Sequence, residues 1–143
     1  MKQLVFACAV ISMIVPGTLA LAQTAPEAGA SLATVTLSRA VMADGQRLAA
    51  GSYQVRLTAD TPEPPVGQSP GGERFVEFVR DGKVLGRELA TVVMPADVQE
   101  VLEGRGPRPG AHRIDTLSGA EYLRVWINQG GTHYILHLPP ATS

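Results

Sequence analysis

The residues best suited to chemistry lie in the last third of the chain, where two histidines stand close to the only tryptophan. His133 and His137 are four residues apart, so in a strand they share one face at a separation of roughly 13 Å. Two imidazoles cannot both bind one zinc ion at about 2.1 Å from that separation. The expected cross-strand positions hold Asn128 and Arg124. We therefore predict no metal site and no cofactor, and we interpret both histidines as half-exposed strand residues.

Catalytic groups have little support in the sequence. The one Gly-x-Ser-x-Gly spacing, at residues 67–71, lies in a proline-rich stretch and not between a strand and a helix, so no nucleophile elbow is predicted. The only cysteine, Cys8, lies in a segment expected to be removed. Glu77 and Glu88 would be near neighbours across a predicted hairpin, as a carboxylate pair for glycoside cleavage requires. Their position beside Arg74 and Arg87 is more simply explained by cross-strand charge pairing on a solvated face. We predict no catalytic residues; the alternative is a small secreted enzyme whose site is hidden in the linear sequence.

A candidate partner or ligand face, here called the Trp126 face, lies on one side of the last predicted hairpin. An exposed tryptophan among polar donors can stack on a sugar ring or anchor a protein partner. In a packed domain the same ring can instead be covered by a helix or by the loop at residues 62–72, since large aromatic side chains are mostly buried. The sequence leaves both interpretations open. The residues of this face are Arg124, Trp126, Asn128, His133, Ile135 and His137.

The element that positions this face is a hairpin over residues 122–138. Its two alternating runs flank Gly130-Gly131, and glycine reaches the positive φ of a type I′ or II′ turn without a Cβ clash. A turn at Gln129-Gly130 would shift the register by two residues and keep the same faces. With the first turn, the apolar face holds the pairs Ile127 with Tyr134, Val125 with Leu136, and Leu123 with Leu138.

The pattern of the preceding residues also predicts strands joined by turns. Residues 31–38 and 51–58 alternate between apolar and polar side chains, and Asp44-Gly45 is a turn signal between them. Asp81-Gly82 is a strong type I′ turn pair at the centre of a second hairpin, and Gly86 indicates a bulge or bend in its return strand. The predicted neighbours in this hairpin are Val79 with Val84 and Phe78 with Leu85.

Two segments break the run of strands. Residues 60–72 contain four prolines, which exclude a central strand and predict a long exposed loop. Residues 95–103 predict one short helix, with Pro95 in its first turn, an apolar stripe and Gly104 as a cap. Seven to eight strands without strand–helix alternation predict a mainly β fold, a single antiparallel β-sandwich, with a small β-barrel as the alternative. The stripe of the helix is Val98, Val101 and Leu102.

One stretch resembles a hairpin common in small exported bacterial β-domain proteins, a family that is largely uncharacterised. The typical segment there is Gly-x-x-Leu-Pro-Ala-Gly-x-Tyr, and Ala49 stands where proline is usual. The resemblance covers residues 45–57, which are mostly turn and packing positions. It implies a β fold and no activity. The matching residues are Gly45, Leu48, Ala50, Gly51, Tyr53, Val55 and Leu57.

The first 22 residues have the pattern of a signal peptide. Lys2 precedes an apolar stretch at residues 4–14, and Ala20-Leu21-Ala22 is a small-x-small cleavage signal, so we expect the mature chain to begin at Gln23. We expect a flexible lead-in at 23–31, one β-domain at 32–140 and a tail at 141–143. We expect the mature chain to be periplasmic or extracellular and to have no transmembrane segment. Because it has no cysteine, it can form no disulfide there, and a packed core must supply its stability.

The charge of the mature chain is nearly balanced. Without Lys2, eleven basic residues stand against thirteen acidic ones. A nucleic-acid binder and an electrostatic membrane binder both need a strong basic excess, so the balance argues against these two classes. The expected function is a non-catalytic binding or structural module of the cell envelope, with an envelope protein or a carbohydrate as partner. A strand-mediated assembly subunit is a further alternative, because an open sheet edge can pair with another chain.

Overall fold

The computed structural model describes residues 28–64, 66–67, 72–102, 106–119 and 121–142. The predicted signal peptide, most of the predicted lead-in, and Gly104, the predicted helix cap, lie outside these ranges. The described elements are β1 (Ser31–Leu37), β2 (Val41–Ala43), β3 (Gln46–Leu48), β4 (Gly51–Leu57), β5 (Glu73–Arg80), β6 (Lys83–Val93), α1 (Val98–Val101), β7 (His112–Thr116), β8 (Leu123–Gln129) and β9 (Thr132–Leu138).

Seven of the strands form one antiparallel sheet that is nearly closed into a barrel, in the order β1-β4-β5-β6-β9-β8-β7. The mainly β class is confirmed, and the architecture is the barrel alternative rather than two stacked sheets. The reason lies in β6, which pairs with β5 from Lys83 to Thr91 and with β9 from Thr91 to Val93. This one long strand joins the two halves of the sheet, where a sandwich would have a gap.

Turn chemistry sets the hairpins as the sequence predicts. Both central residues have positive φ in three turns, at Asp44-Gly45, Asp81-Gly82 and Gly130-Gly131, which is the type I′ requirement. The last of these excludes the alternative turn at Gln129-Gly130. The three pairs predicted for the apolar face of the final hairpin, Leu123–Leu138, Val125–Leu136 and Ile127–Tyr134, are all confirmed.

The β5–β6 hairpin differs from the prediction by one residue. Val79 pairs with Val84 as expected, but Phe78 pairs with Gly86, so the predicted pair of Phe78 with Leu85 is wrong. Leu85 is the extra residue of a β-bulge, which the glycine beside it favours. A Cβ on Gly86 would lie 3.0 Å from a methyl carbon of Leu48, so the absence of a side chain lets the β2–β3 hairpin lie against β6.

The segment that resembles exported β-domains has a packing explanation. Gly45 supplies the second turn residue between β2 and β3, and Leu48 is buried. Gly51 begins β4 with a φ of 136°, a value that side chains disfavour. The hydroxyl of Tyr53 then donates a hydrogen bond to the carbonyl oxygen of Ala49 at 2.7 Å. The spacing therefore builds a turn with an internal hydrogen bond.

The interior of the sheet is filled by apolar side chains, and the β2–β3 hairpin covers one end of it with Val41, Ala43 and Leu48. Residues near the C-terminal end of the described chain hold this hairpin in place. The backbone N–H of Met42 donates to the carbonyl oxygen of Pro139 at 2.8 Å, and Val41 forms a bridge with Pro140. The core thus combines residues from both ends of the domain.

The helix is shorter than predicted. Residues 95–97 form a turn, and α1 has only the four residues from Val98 to Val101. Val98 and Leu102 pack against the outer side of the sheet, but Val101 is exposed, so the predicted stripe is wrong at that position. In this single turn the side chains at i and i+4, Val98 and Leu102, are the ones that contact the sheet. No helix in the described part of the chain is long and apolar enough to cross a membrane.

Candidate functional site

The Trp126 face lies on the outer side of β8 and β9, and the chain itself covers it. Trp126 is 1% exposed and forms a small outer core with Val93 and Ile135. Val98 and Leu102, from α1 and the residue after it, pack onto this core. Of the two interpretations left open by the sequence, the structure shows the covered ring.

Backbone atoms complete the cover over the indole. A Cβ on Gly106 would lie 2.6 Å from Cζ2 of Trp126 and 3.1 Å from Cε1 of His133. Beneath it, Nε1–H of Trp126 donates a hydrogen bond to Nδ1 of His133 at 2.7 Å. His133 is 5% exposed, so the prediction of a half-exposed residue is wrong for this histidine. Burial lowers the pKa of His133, which favours the neutral ring with Nδ1 as the acceptor.

Asn128 holds the covering segment against the sheet. Its side-chain amide donates to the carbonyl oxygen of Pro107 at 2.9 Å, and its side-chain oxygen accepts from the backbone N–H of Gly131 at 2.9 Å. Its backbone forms two further hydrogen bonds with the same segment. The carbonyl oxygen of Asn128 accepts from the N–H of Gly110, and the N–H of Asn128 donates to the carbonyl oxygen of Ala111. This buried amide is therefore a structural residue whose groups are all used locally.

Charged side chains border the indole. Nη2 of Arg124 and Nε of Arg113 both donate to the same carboxylate oxygen of Asp115 at 2.9 Å. The two guanidinium groups lie 5.4 Å and 5.0 Å from the ring centre of Trp126. The hydrogen bond from Arg124, together with Arg113, holds the pKa of Asp115 below its usual value of 3.8. These contacts further restrict access to the ring.

The six predicted residues of the Trp126 face are thus brought together, but mostly out of reach. Only His137 is exposed, and Arg124 is partly exposed. A sugar ring could stack on Trp126 only after Leu102 and Gly106 had moved away. The other four residues, Trp126, Asn128, His133 and Ile135, are buried.

The Gly106 contact gives a first test of this cover. We expect Gly106→Ala to lower the free energy of unfolding by about 1–3 kcal/mol, because its methyl group would overlap the indole. Urea unfolding followed by Trp126 emission would measure the loss. Arg108→Ala, at an exposed position two residues later, is the matched control and should change little. Equal stability of Gly106→Ala and wild type would show that residue 106 does not lie on the ring.

The two glutamates considered as a carboxylate pair lie on opposite faces of the sheet. Glu77 is outward and receives a 2.8 Å hydrogen bond from Arg56, whereas Glu88 is opposite the buried Val76 and accepts the backbone N–H of Asp44 at 2.9 Å. The prediction that both face solvent beside arginines is therefore wrong for Glu88. Successive residue pairs along a hairpin point to alternate faces of the sheet. Glu77 and Glu88 belong to successive pairs, so their carboxyl groups lie on different faces. The side chain of Arg87 forms ion pairs with Asp44 and Asp60, and with neither glutamate.

A second group of polar side chains lies where β4 ends and β5 and β9 begin. Arg74 pairs with Ala90, a fully buried residue, so its side chain is on the inner face. Nη2 of Arg74 donates to the carbonyl oxygen of Thr58 at 3.3 Å, while Nε is buried without a hydrogen-bond partner. Tyr134 lies on the same inner face, opposite Val92 and only 2% exposed. We call Thr58, Arg74 and Tyr134 the barrel mouth.

The electrostatics of the barrel mouth connect the arginine to the phenol. Burial raises the pKa of Tyr134, and the positive charge of Arg74 acts in the opposite direction. Sequence reasoning missed Arg74 as a site residue because it assigned the side chain to a solvated face. The signal was present in the alternation, since Arg74 is two and four residues before Val76 and Phe78, which are fully buried.

Fold and site together define a small antiparallel β-domain with a nearly closed sheet, a covered outer tryptophan and an inward arginine at one end. No protein-family model, curated protein or solved structure matches the chain. The resemblance of residues 45–57 to small exported β-domains stays a prediction. Across the described ranges, no three His, Cys, Asp or Glu side chains are grouped to hold a metal ion.

Proposed function

We propose that this chain is an exported, non-catalytic binding module of the cell envelope, periplasmic or extracellular, whose binding site is the barrel mouth. The observation that carries the proposal is the inward guanidinium of Arg74, which has a buried Nε without an acceptor. The arginine side chain keeps its proton at all physiological pH values. A site built on it is suited to hold an anion and unsuited to proton transfer, which favours binding over catalysis.

The use of the other polar groups supports the same proposal. His133 accepts a hydrogen bond from Trp126, and Glu88 accepts one from the backbone of Asp44. These two groups, which have the chemistry of a general base, are therefore engaged in holding the fold. The small secreted enzyme remains the competing proposal, and it would require one of these groups to be released.

Assembly through strand edges is a second candidate function. It is favoured by the incomplete closure of the sheet, which leaves β1 and β7 as its outermost strands. Charged residues blunt such edges, and β7 has both Arg113 and Asp115. A larger apparent mass in size-exclusion chromatography as the protein concentration rises would support assembly, and a constant monomer mass would exclude it.

Export has its own test. We expect the full-length chain, expressed with a C-terminal tag in a Gram-negative host, to appear in the periplasmic fraction with an intact mass that begins at Gln23. A variant that lacks residues 2–22 is the control and should stay in the cytoplasm. A full-length chain that keeps its first 22 residues and stays cytoplasmic would contradict export.

A further inference from the structure

Among the described residues, Arg74 is the arginine that combines a buried Nε without a hydrogen-bond partner with the lack of an ion pair. In the described part of the chain Arg56, Arg87 and Arg124 each form an ion pair on the outer side of the sheet, but Arg74 forms none. Its polar contact is the carbonyl oxygen of Thr58, and its Nε is shielded from solvent. Placing a cation in such surroundings costs free energy unless an anion compensates it.

Tyr134 adds a second donor near the same place. Its side chain is 98% buried, and within the described ranges its hydroxyl has no hydrogen-bond partner. This hydroxyl is not among the fully buried polar atoms without a partner, so it reaches solvent and can donate to a ligand. Val92, a partly buried residue packed against the core, lies between the strands of Arg74 and Tyr134. The barrel mouth thus has the donor groups of Arg74 and Tyr134, an apolar wall and no carboxylate among its three residues.

We propose that the barrel mouth binds the oxyanion group of a small ligand, a carboxylate or a phosphate, which pairs with the guanidinium of Arg74 and accepts a hydrogen bond from the hydroxyl of Tyr134. This inference rests on the proposed binding function and names its ligand chemistry. A planar guanidinium presents N–H groups in a geometry that matches both oxyanions. The anion supplies the charge compensation that Arg74 lacks.

The test uses the purified chain from Gln23 and nuclear magnetic resonance of the arginine Nε–H groups. Sodium benzoate and inorganic phosphate are the two probes, and benzamide is the uncharged control for benzoate. We expect at least one anion to shift the Nε–H signal of Arg74 saturably, and benzamide to leave it in place. Saturation with benzoate alone assigns a carboxylate ligand, and saturation with phosphate alone assigns a phosphate.

Two substitutions separate binding from folding. Tyr134→Phe should weaken anion binding about tenfold, because it removes one hydrogen bond to a charged acceptor. Arg74→Met should abolish binding and unfold at the same or a higher temperature than wild type, because it removes a cation without a counter-ion. Arg80→Met, at the opposite end of β5, is the matched control and should bind like wild type.

The proposal is overturned if neither anion gives a saturable shift, if benzamide gives an equal one, or if Arg74→Met clearly lowers the unfolding temperature. The last result would assign Arg74 to the fold. Because the protein is purified without passage through an export pathway, these outcomes are independent of export. A chain that binds an oxyanion but is not exported would refute only the location.

Discussion

Trp126→Ala is expected to lower the free energy of unfolding by about 3–5 kcal/mol, the usual cost of removing a buried aromatic side chain. The indole is the centre of the outer core, where it contacts Val93, Ile135 and the backbone of Gly106. Its loss would leave a cavity and deprive His133 of its hydrogen-bond donor. Because the variant lacks the only tryptophan, far-ultraviolet circular dichroism in urea is the measurement.

A neighbouring substitution provides the control for that result. His137 is on the same outer face of β9 but exposed, so His137→Ala should change the stability by no more than about 0.5 kcal/mol. A loss below about 1 kcal/mol for Trp126→Ala would mean that the ring contributes little to the fold. The Trp126 face would then again be a candidate for contact with a partner.

Acidification is expected to destabilise the fold through His133. Burial depresses its pKa in the folded state, so the unfolded chain takes up the proton first as the pH falls below about 6.5. Stability is therefore highest above that value and declines toward the lower pKa of the folded state. A proton on Nδ1 would also remove the acceptor for Trp126 Nε1–H, beside the guanidinium groups of Arg113 and Arg124. Urea unfolding at a series of pH values, followed by Trp126 emission, would measure this decline.

His133→Asn isolates this effect, because it keeps a polar acceptor and removes the titration. We expect the variant to be less stable than wild type at neutral pH, with a flatter pH dependence between about pH 6.5 and the folded pKa. Asp115 has a pKa below 3.8, so its contribution is lost in a more acidic range and does not interfere. Identical slopes for wild type and variant would assign the pH dependence to other groups.

The sequence predicts the local features of the fold well, because they are set by short-range rules. The three type I′ turns follow from Asp-Gly and Gly-Gly pairs, and the register of the last hairpin follows from the Gly130-Gly131 turn. Closure of the sheet depends on β6 pairing with both β5 and β9, a long-range choice that alternation does not encode. From the sequence, the β-bulge in β6 could be placed near Gly86 but not assigned to Leu85.

The candidate site is harder to predict for the same reason. The cover over Trp126 comes from Leu102 and Gly106, about 20 residues away, and no periodic pattern links these positions to the indole. The barrel mouth depends on which face of β5 is inward. Because Arg74 is charged, its side chain is expected on the outer face. Arg74 and Val76 are two residues apart in one strand and therefore share a face, which is the inner one. At Arg74 the charge of the side chain and the alternation of the strand predict different faces, and the structure agrees with the alternation.

The contacts of residues 139–141 have a consequence for the order in which the domain forms. The backbone groups of Pro139 and Ala141 are hydrogen-bonded to Met42 and Ala40, about a hundred positions earlier in the chain. Contacts of such high sequence separation are associated with slow folding, because a large loop must close before they form. During synthesis, the β2–β3 hairpin can be fixed over its end of the core only after residues 139–141 have left the ribosome. The first hairpin of this domain therefore waits for the last strand and the residues that follow it.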